Sequence, residues 1–274
     1  MAVITLPKFT PMEDSLWLTL CGKALDYRRS DPILGDRMAD EIVRKIGYDC
    51  GRFKLSESPI INIAHRTKKM DEVAADFIAR HPNAVGIDLG AGLDSRLLRL
   101  DPPSTVDWYD VDFPNVITAR RKVMPERANG HGIGTDLVDP NWLEAVPSDR
   151  PAVIIADGLL AFLSQEDMIA LLKRLTDRFP SGEIAFNGYS RFAIWAARKY
   201  RGTQSVSDLL KSPGFDDARE PERWNPRLKL VREILLTREP EVARFPTALR
   251  LFTRLSARSA AWSRKGTTVL HYRF

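Results

Sequence analysis

The stretch Ala84-Val85-Gly86-Ile87-Asp88-Leu89-Gly90-Ala91-Gly92-Leu93-Asp94 decides the fold. A short apolar run, without the polar alternation of a half-exposed strand, ends abruptly on two glycines. That is how a strand buried on both faces looks where it meets a tight turn. A helix is expected after the turn from Ser95, carrying Leu97, Leu98 and Leu100. Thr105–Asp112 then gives a second strand, closed by Pro114, and 115–123 a further helix. Pro151–Ala156 is another buried strand with a helix over 165–179 behind it, and Glu183–Phe186 a strand again. Strand and helix alternating over short connections predict an α/β fold, a doubly wound and mostly parallel sheet covered on both faces.

Upstream of that core the first 80 residues form an expected N-terminal helical cap. Met38, Ile42 and Val43 share one helical face after an Asp31-Pro32 start, and Met70, Val73, Ala74 and Phe77 share another between Lys69 and Arg80. Downstream, residues 190–225 begin helical and basic and are then broken by Pro213-Gly214 and Pro221, with Pro226 just beyond. They are expected to be a lid inserted between late strands, with 228–236 and 267–272 closing the sheet. The whole chain, 1–274, is expected to be one domain.

Composition narrows the function classes. With 44% apolar and 28% charged residues the chain has globular rather than disordered character. No apolar run approaches the roughly 20 residues that span a bilayer, so no stable membrane insertion is expected. Met1–Thr10 lacks the features of a secretory signal. Cys21 and Cys50 are too few for a disulfide framework or a zinc cluster. A reduced cytoplasm and no metal are the expectations. Charge is unevenly spread: 18 Lys and Arg stand against 8 Asp and Glu from Asn187 to Phe274, and 23 against 28 before it. A solvated helical surface explains this, as does a face toward something acidic. Arg250, Arg254 and Arg258, four apart beside Leu249, Phe252 and Leu255, would form a helical stripe. Packing on the sheet and attraction of an acidic acceptor or an anionic membrane surface are both open for it.

Chemistry is concentrated at the glycine turn. Gly90 and Gly92 let a ligand approach the backbone at the carboxyl end of a strand, and the next helix offers its N-terminus. The dinucleotide fingerprint wants Gly or Ala at position 95, where Ser95 stands, and Asp94 brings a carboxylate that would repel a pyrophosphate. A sulfonium or an amine suits that carboxylate better, which disfavours a nicotinamide-dependent reductase. Asp112, 20 residues after Gly92, is placed to take ribose hydroxyls, with Asp110 the competitor on the same face.

These blocks together resemble the leucine carboxyl methyltransferase family and its bacterial branch of tetracenomycin-type polyketide O-methyltransferases. The resemblance rests on Gly90-Ala91-Gly92-Leu93-Asp94-Ser95-Arg96, Asp110-Val111-Asp112-Phe113-Pro114, His65-Arg66-Thr67 with Asp71, Gly134-Thr135-Asp136-Leu137, and Asp157–Leu163. It implies a Rossmann-like class I methyltransferase fold and S-adenosylmethionine as cofactor. It also implies O-methylation of a small-molecule carboxylate or hydroxyl. By position, Arg66 would pair with the methionine carboxylate. Gly90, with Ala91 and Gly92, would meet the methionine moiety through the backbone. Asp112 would take the ribose, Asp136 and Leu137 the adenine, and Asp157 a place near the cofactor where the family usually has glutamate.

Methyl transfer in line from a sulfonium needs mainly positioning. A carboxylate acceptor is already ionised, whereas a hydroxyl needs a base. His65, His81, His131 and His271 each have a structural reading, so no catalytic residue is assigned. An RNA methyltransferase or nucleic-acid-binding protein is the alternative kept open by the basic C-terminal third. The sequence carries no zinc finger, helix-turn-helix or aromatic RNA-binding signature, so no nucleic-acid partner is expected.

Overall fold

The computed structural model describes residues 4–199 and 207–274. Among them seven strands form one sheet: β1 (Val85–Leu89), β2 (Asp107–Asp112), β3 (Gly130–Gly134), β4 (Ala152–Ala156), β5 (Gly182–Tyr189), β6 (Lys229–Leu235) and β7 (Thr267–Arg273). Their order is β3-β2-β1-β4-β5-β7-β6. The first five run parallel, and β7 lies antiparallel between β5 and β6. The opening stretch forms β1 as expected, every residue buried. Strand alternation splits the interior into two layers. Val85, Ile87, Leu89 and Ile154 face one core, while Val153, Ile155 and Trp108 face the other.

Helices cover both faces. In chain order they are α1 (Pro11–Asp14), α2 (Leu16–Tyr27), α3 (Arg37–Ile46), α4 (Glu57–Arg80), α5 (Arg96–Leu100), α6 (Pro114–Val123), α7 (Gln165–Arg178), α8 (Arg191–Lys199), α9 (Glu220–Trp224), α10 (Thr247–Ser256) and α11 (Ala260–Ser263). The stretch expected as a cap divides in two. The 24-residue α4 is a helix of the sheet itself, and its Met70, Val73, Ala74 and Phe77 pack with Trp108 and Ile155. Helices α2 and α3 instead build a separate cluster, Leu16, Trp17, Leu20, Ile42 and Val43, against Val116 and Ala119 of α6. Helix α3 starts later than the Asp31-Pro32 signal suggests. Asp36 is its N-cap, accepting from the Ala39 N–H.

Two features depart from the sequence reading. Strand β3 was not expected, because Gly130-His131-Gly132-Ile133-Gly134 carries no apolar alternation. Helices α5 and α6 explain the glycines: a Cβ at Gly130 would lie 2.6 Å from Leu97, and one at Gly132 would lie 2.9 Å from Ile117. The cysteine reading is also corrected. Cys21 and Cys50 are joined in a disulfide that staples α2 to the turn before α4, across 29 residues. Of the expected lid, residues 200–206 lie outside the described residues. Its two arms are tied together where Arg198 donates to the Leu210 carbonyl, 3.0 Å.

Candidate functional site

The parallel strands reverse direction of winding between β1 and β4, and a cavity of about 300 Å³ opens at their carboxyl ends. A crevice at such a switch point is where doubly wound sheets bind ligands. Arg66, Gly90, Ala91, Gly92, Asp112, Asp136, Leu137 and Asp157 all line this one cavity.

The glycine turn forms its floor. Gly90 and Gly92 take left-handed backbone angles, φ +63° and +50°, which other residues rarely adopt. The turn is held from both sides. Gly90 N–H donates to the Val111 carbonyl at 2.9 Å and Gly92 N–H to Asp112 Oδ2 at 2.7 Å. From α6, Arg120 donates to the carbonyls of Gly92 (2.8 Å) and Asp94 (2.9 Å). The following helix, α5, is a single short turn, and its arginines point into the protein instead.

The structure gives Asp94 partners that the sequence did not suggest. It is buried and paired with Lys23, Arg99 and Arg96. Burial opposes its charge, but Arg99, Lys23 and Arg96 hold its carboxyl well below the usual carboxylate range. Three cations of the protein meet its charge, and Asp94 also stands in the wall of the cavity. Arg96, fully buried, also binds Asp88 at 2.8 Å and Asp71. Arg99 reaches Asp36 and Asp71. The result is a buried ionic lattice directly beneath the turn.

The two candidate ribose ligands part company. Asp112, at the end of β2, faces the cavity and accepts from the N–H groups of Gly92 and Phe113. Burial raises its pKa despite those two donors. Asp110 is taken by Arg120 and by Trp108 Nε1, 3.2 Å away, and does not line the cavity. Asp136 and Leu137 follow β3. Asp136 accepts from the Val138 N–H at 3.0 Å, and Leu137 is buried.

On the β4 side Arg66 is buried, with Nε 3.0 Å from Asp157 Oδ1 and Nη1 donating to Tyr189 Oη at 3.0 Å. The Arg66 Nε has no aligned hydrogen-bond partner. Asp157 also accepts from Thr67 Oγ1. Burial would raise its pKa, yet Arg66 and Lys23 lower it overall. Gly158, next in the chain, donates to Asn187 Oδ1 of β5, which fixes this loop.

Two wall residues escaped the sequence reading. Lys23 lines the cavity from α2 and is only 4% exposed. Its signal was available: Lys23 stands seven residues after Leu16, on the apolar face that includes Leu20. A lysine on a buried stripe requires partners. Tyr189, at the end of β5, has a phenol whose pKa burial pushes up. The outer wall is α8, through Ala193, Ile194 and Ala197, together with Leu210 and Lys211. No histidine among the described residues lines the cavity. His65 meets Glu241, His131 meets Asp107, His271 meets Glu183, and His81 packs on Phe77. Among the described residues no three or more His, Cys, Asp or Glu side chains are grouped to hold a metal ion. No helix among them is long and apolar enough to cross a membrane.

Comparison with known proteins decides the family. The leucine carboxyl methyltransferase model matches residues 17–176, which contain the turn, β1 to β4 and every lining residue named above up to Asp157. The chain belongs to the leucine carboxyl methyltransferase family. It is 35% identical over 243 residues to the tetracenomycin polyketide synthesis O-methyltransferase TcmP of Streptomyces glaucescens, covering 79% of this chain and 90% of that one. It is 33% identical to the S-adenosyl-L-methionine-dependent methyltransferase dpfgK of Gibberella zeae, over 80% of each. The fold matches a methyltransferase candidate from Thermobifida fusca at TM-score 0.56 and 17% identity, covering 94% of this chain and 92% of that one. It also matches the plantazolicin methyltransferase BamL, solved with SAH, at TM-score 0.53 and 9% identity, covering 95% and 98%. Membership in a methyltransferase family disposes of the nicotinamide-dependent reductase.

Proposed function

We propose that this enzyme transfers a methyl group from S-adenosylmethionine to a carboxylate oxygen of a small organic acid, releasing a methyl ester. The residues present fit that cofactor. Two buried cations, Lys23 and Arg66, line the cavity and place positive charge there for a carboxylate. Asp112 offers its carboxylate to a ribose diol, and Asp136 and Leu137 border the adenine. Gly90, Ala91 and Gly92 admit the methionine portion close to the backbone, with Asp157 and Tyr189 orienting Arg66. When bound, the cofactor supplies an electrophilic methyl on its sulfonium.

The observation that carries the carboxylate acceptor is that no free base stands among the described wall residues. Besides lacking a histidine, the described wall has its carboxylates already engaged. Glu13 accepts from the Thr10 N–H, Asp167 from Ser164 Oγ, and the others from the partners given above. An acceptor that arrives ionised needs only to be positioned. Lys211 at the rim supplies a cation for it, and Leu159, Phe162 and Ile194 supply apolar surface for its body. Segment 190–225, with α8 and Leu210 over the cavity, is proposed as the lid that selects the acceptor.

The test is transfer of labelled methyl to matched panels of aromatic carboxylic acids and phenols. A product that releases its label in mild alkali is the ester expected here. An alkali-stable ether, or a pH–rate profile with an ascending limb near pH 6.5, would place a base in the site and overturn the carboxylate reading.

A further inference from the structure

Helix α8 has two faces. The inner one lines the cavity, and on the outer one Phe192 and Trp195 are 49% and 58% exposed. Lys265 Nζ stands 5.5 Å from the Phe192 ring and 4.8 Å from that of Trp262, itself 59% exposed. From there α11 connects to α10, Ser263 Oγ donating to the Ser256 carbonyl. Helix α10 turns its apolar side outward. Leu251, Phe252 and Leu255 are each more than 60% exposed, while Thr253 faces the protein. A helix packed on a sheet shows the reverse pattern.

Charge on these elements has one sign. No Asp or Glu occurs from Ile184 to Ser207 or from Val242 to Phe274, the stretches that hold α8, α10 and α11. Among the described residues the acidic groups reaching them from neighbours are Glu233, paired with Arg264, Asp217, whose charge also acts on Arg264, and Asp216, which accepts from the Arg191 N–H. Arg254 and Arg258 are exposed and make no ion pair among the described residues.

We propose that α8, α10 and α11 form a docking face for an anionic lipid surface. Exposed tryptophan, phenylalanine and leucine beside unpaired arginine and lysine is the composition that settles at a headgroup–acyl boundary. A second copy of this chain is the poorer occupant, since a two-fold interface would set this acid-free face against itself. A nucleic acid would satisfy the charge but leave the apolar side chains without a partner. No described helix crosses a membrane, so the association is peripheral and reversible. The inner face of the same α8 lines the cavity, so docking brings the cavity mouth to the lipid phase. An amphiphilic acid would then enter with its tail still shielded. This inference goes beyond the proposed reaction and does not depend on the acceptor being a carboxylate.

The experiment uses the full chain with sedimented vesicles, either phosphatidylcholine alone or equal parts phosphatidylcholine and phosphatidylglycerol. Binding only to the mixed vesicles is expected, with a blue shift of tryptophan emission from Trp195 and Trp262 and loss of binding at high salt. The triple change Leu251→Ser, Phe252→Ser, Leu255→Ser and the double change Arg254→Glu, Arg258→Glu should each weaken it at least about tenfold. S-adenosylhomocysteine affinity should stay at the wild-type value and so report the fold. If the triple variant fails to fold, the double variant still decides. No sedimentation with mixed vesicles, or equal binding to neutral ones, overturns the proposal. So does a concentration-dependent dimer, or an RNA complex, that the same substitutions dissolve.

Discussion

Beneath the glycine turn, Asp36, Asp71, Asp88 and Asp94 are packed with Lys23, Arg96 and Arg99, every cation bonded to at least one carboxylate. On the far side of α8, Arg254 of α10, Arg258 just past its end and Lys265 after α11 stand near exposed aromatic rings. One family of residue types serves two opposite ends. Buried and fully paired, charge fixes the geometry of a turn, because each group is costly to leave alone. Exposed and unpaired, it leaves the outer wall free to meet partners and adds little to stability. On the proposed reading, the wall that would hold the cofactor is the paired one and the wall toward the acceptor is the unpaired one.

The sharpest way to break this contrast is Arg96→Leu. It leaves Asp88, Asp71 and Asp94 short of their shared cation, and losing one partner of a buried pair costs about 3–5 kcal/mol. Urea unfolding should show that loss, whereas Arg254→Ala on the outer face should stay within about 0.5 kcal/mol. Comparable values for the two would mean that the buried lattice and the exposed stripe are energetically alike.

The disulfide sharpens the comparison from another direction, since it holds only the inner wall. Cys21 lies two residues before Lys23 on α2, and its bond to Cys50 closes 29 residues. Cys21→Ser with Cys50→Ser should lower stability by about 2–4 kcal/mol, mainly by freeing the unfolded chain. Thermal unfolding with and without reductant should show the same drop in the wild type and no response in the double variant. A wild type indifferent to reductant would show the staple contributes nothing.

How much of this was legible in the sequence follows the same division. Strands β1 and β4 and the turn were readable because continuous burial leaves an unbroken apolar run. Strand β3 was not, since the helices packed over it demand glycines and erase the alternation. Asp94 was visible as an unusual residue but its cationic partners were not. Its partner Lys23 comes from 71 residues earlier, a distance no local pattern spans. The eight lining residues were reached through ordered blocks rather than periodicity, and they meet at one cavity because each block ends a strand or faces one. Of the expected stripe, Arg250 and Arg254 lie on α10 and Arg258 two residues past its end, and sequence spacing alone does not say which way an amphipathic helix turns.

The finest comparison is between two carboxylates on one strand. Asp112 and Asp110 are two residues apart on β2 and were rivals for the ribose. Asp112 opens onto the cavity and is bonded by two backbone N–H groups, so its removal leaves the fold's ion pairs intact. Asp112→Ala should therefore weaken S-adenosylhomocysteine binding by about 1–3 kcal/mol, the cost of a buried hydroxyl pair losing its acceptor, with a smaller effect on stability. Asp110→Ala should act in the opposite proportion. It strips the buried Arg120 of its carboxylate, and Arg120 also grips the carbonyls of Gly92 and Asp94. Stability should fall first, and affinity only as far as the turn loosens. Calorimetric titration paired with denaturant unfolding separates the two variants. Equal losses of affinity at equal losses of stability would mean that Asp112 supports the turn and that the ribose is held elsewhere.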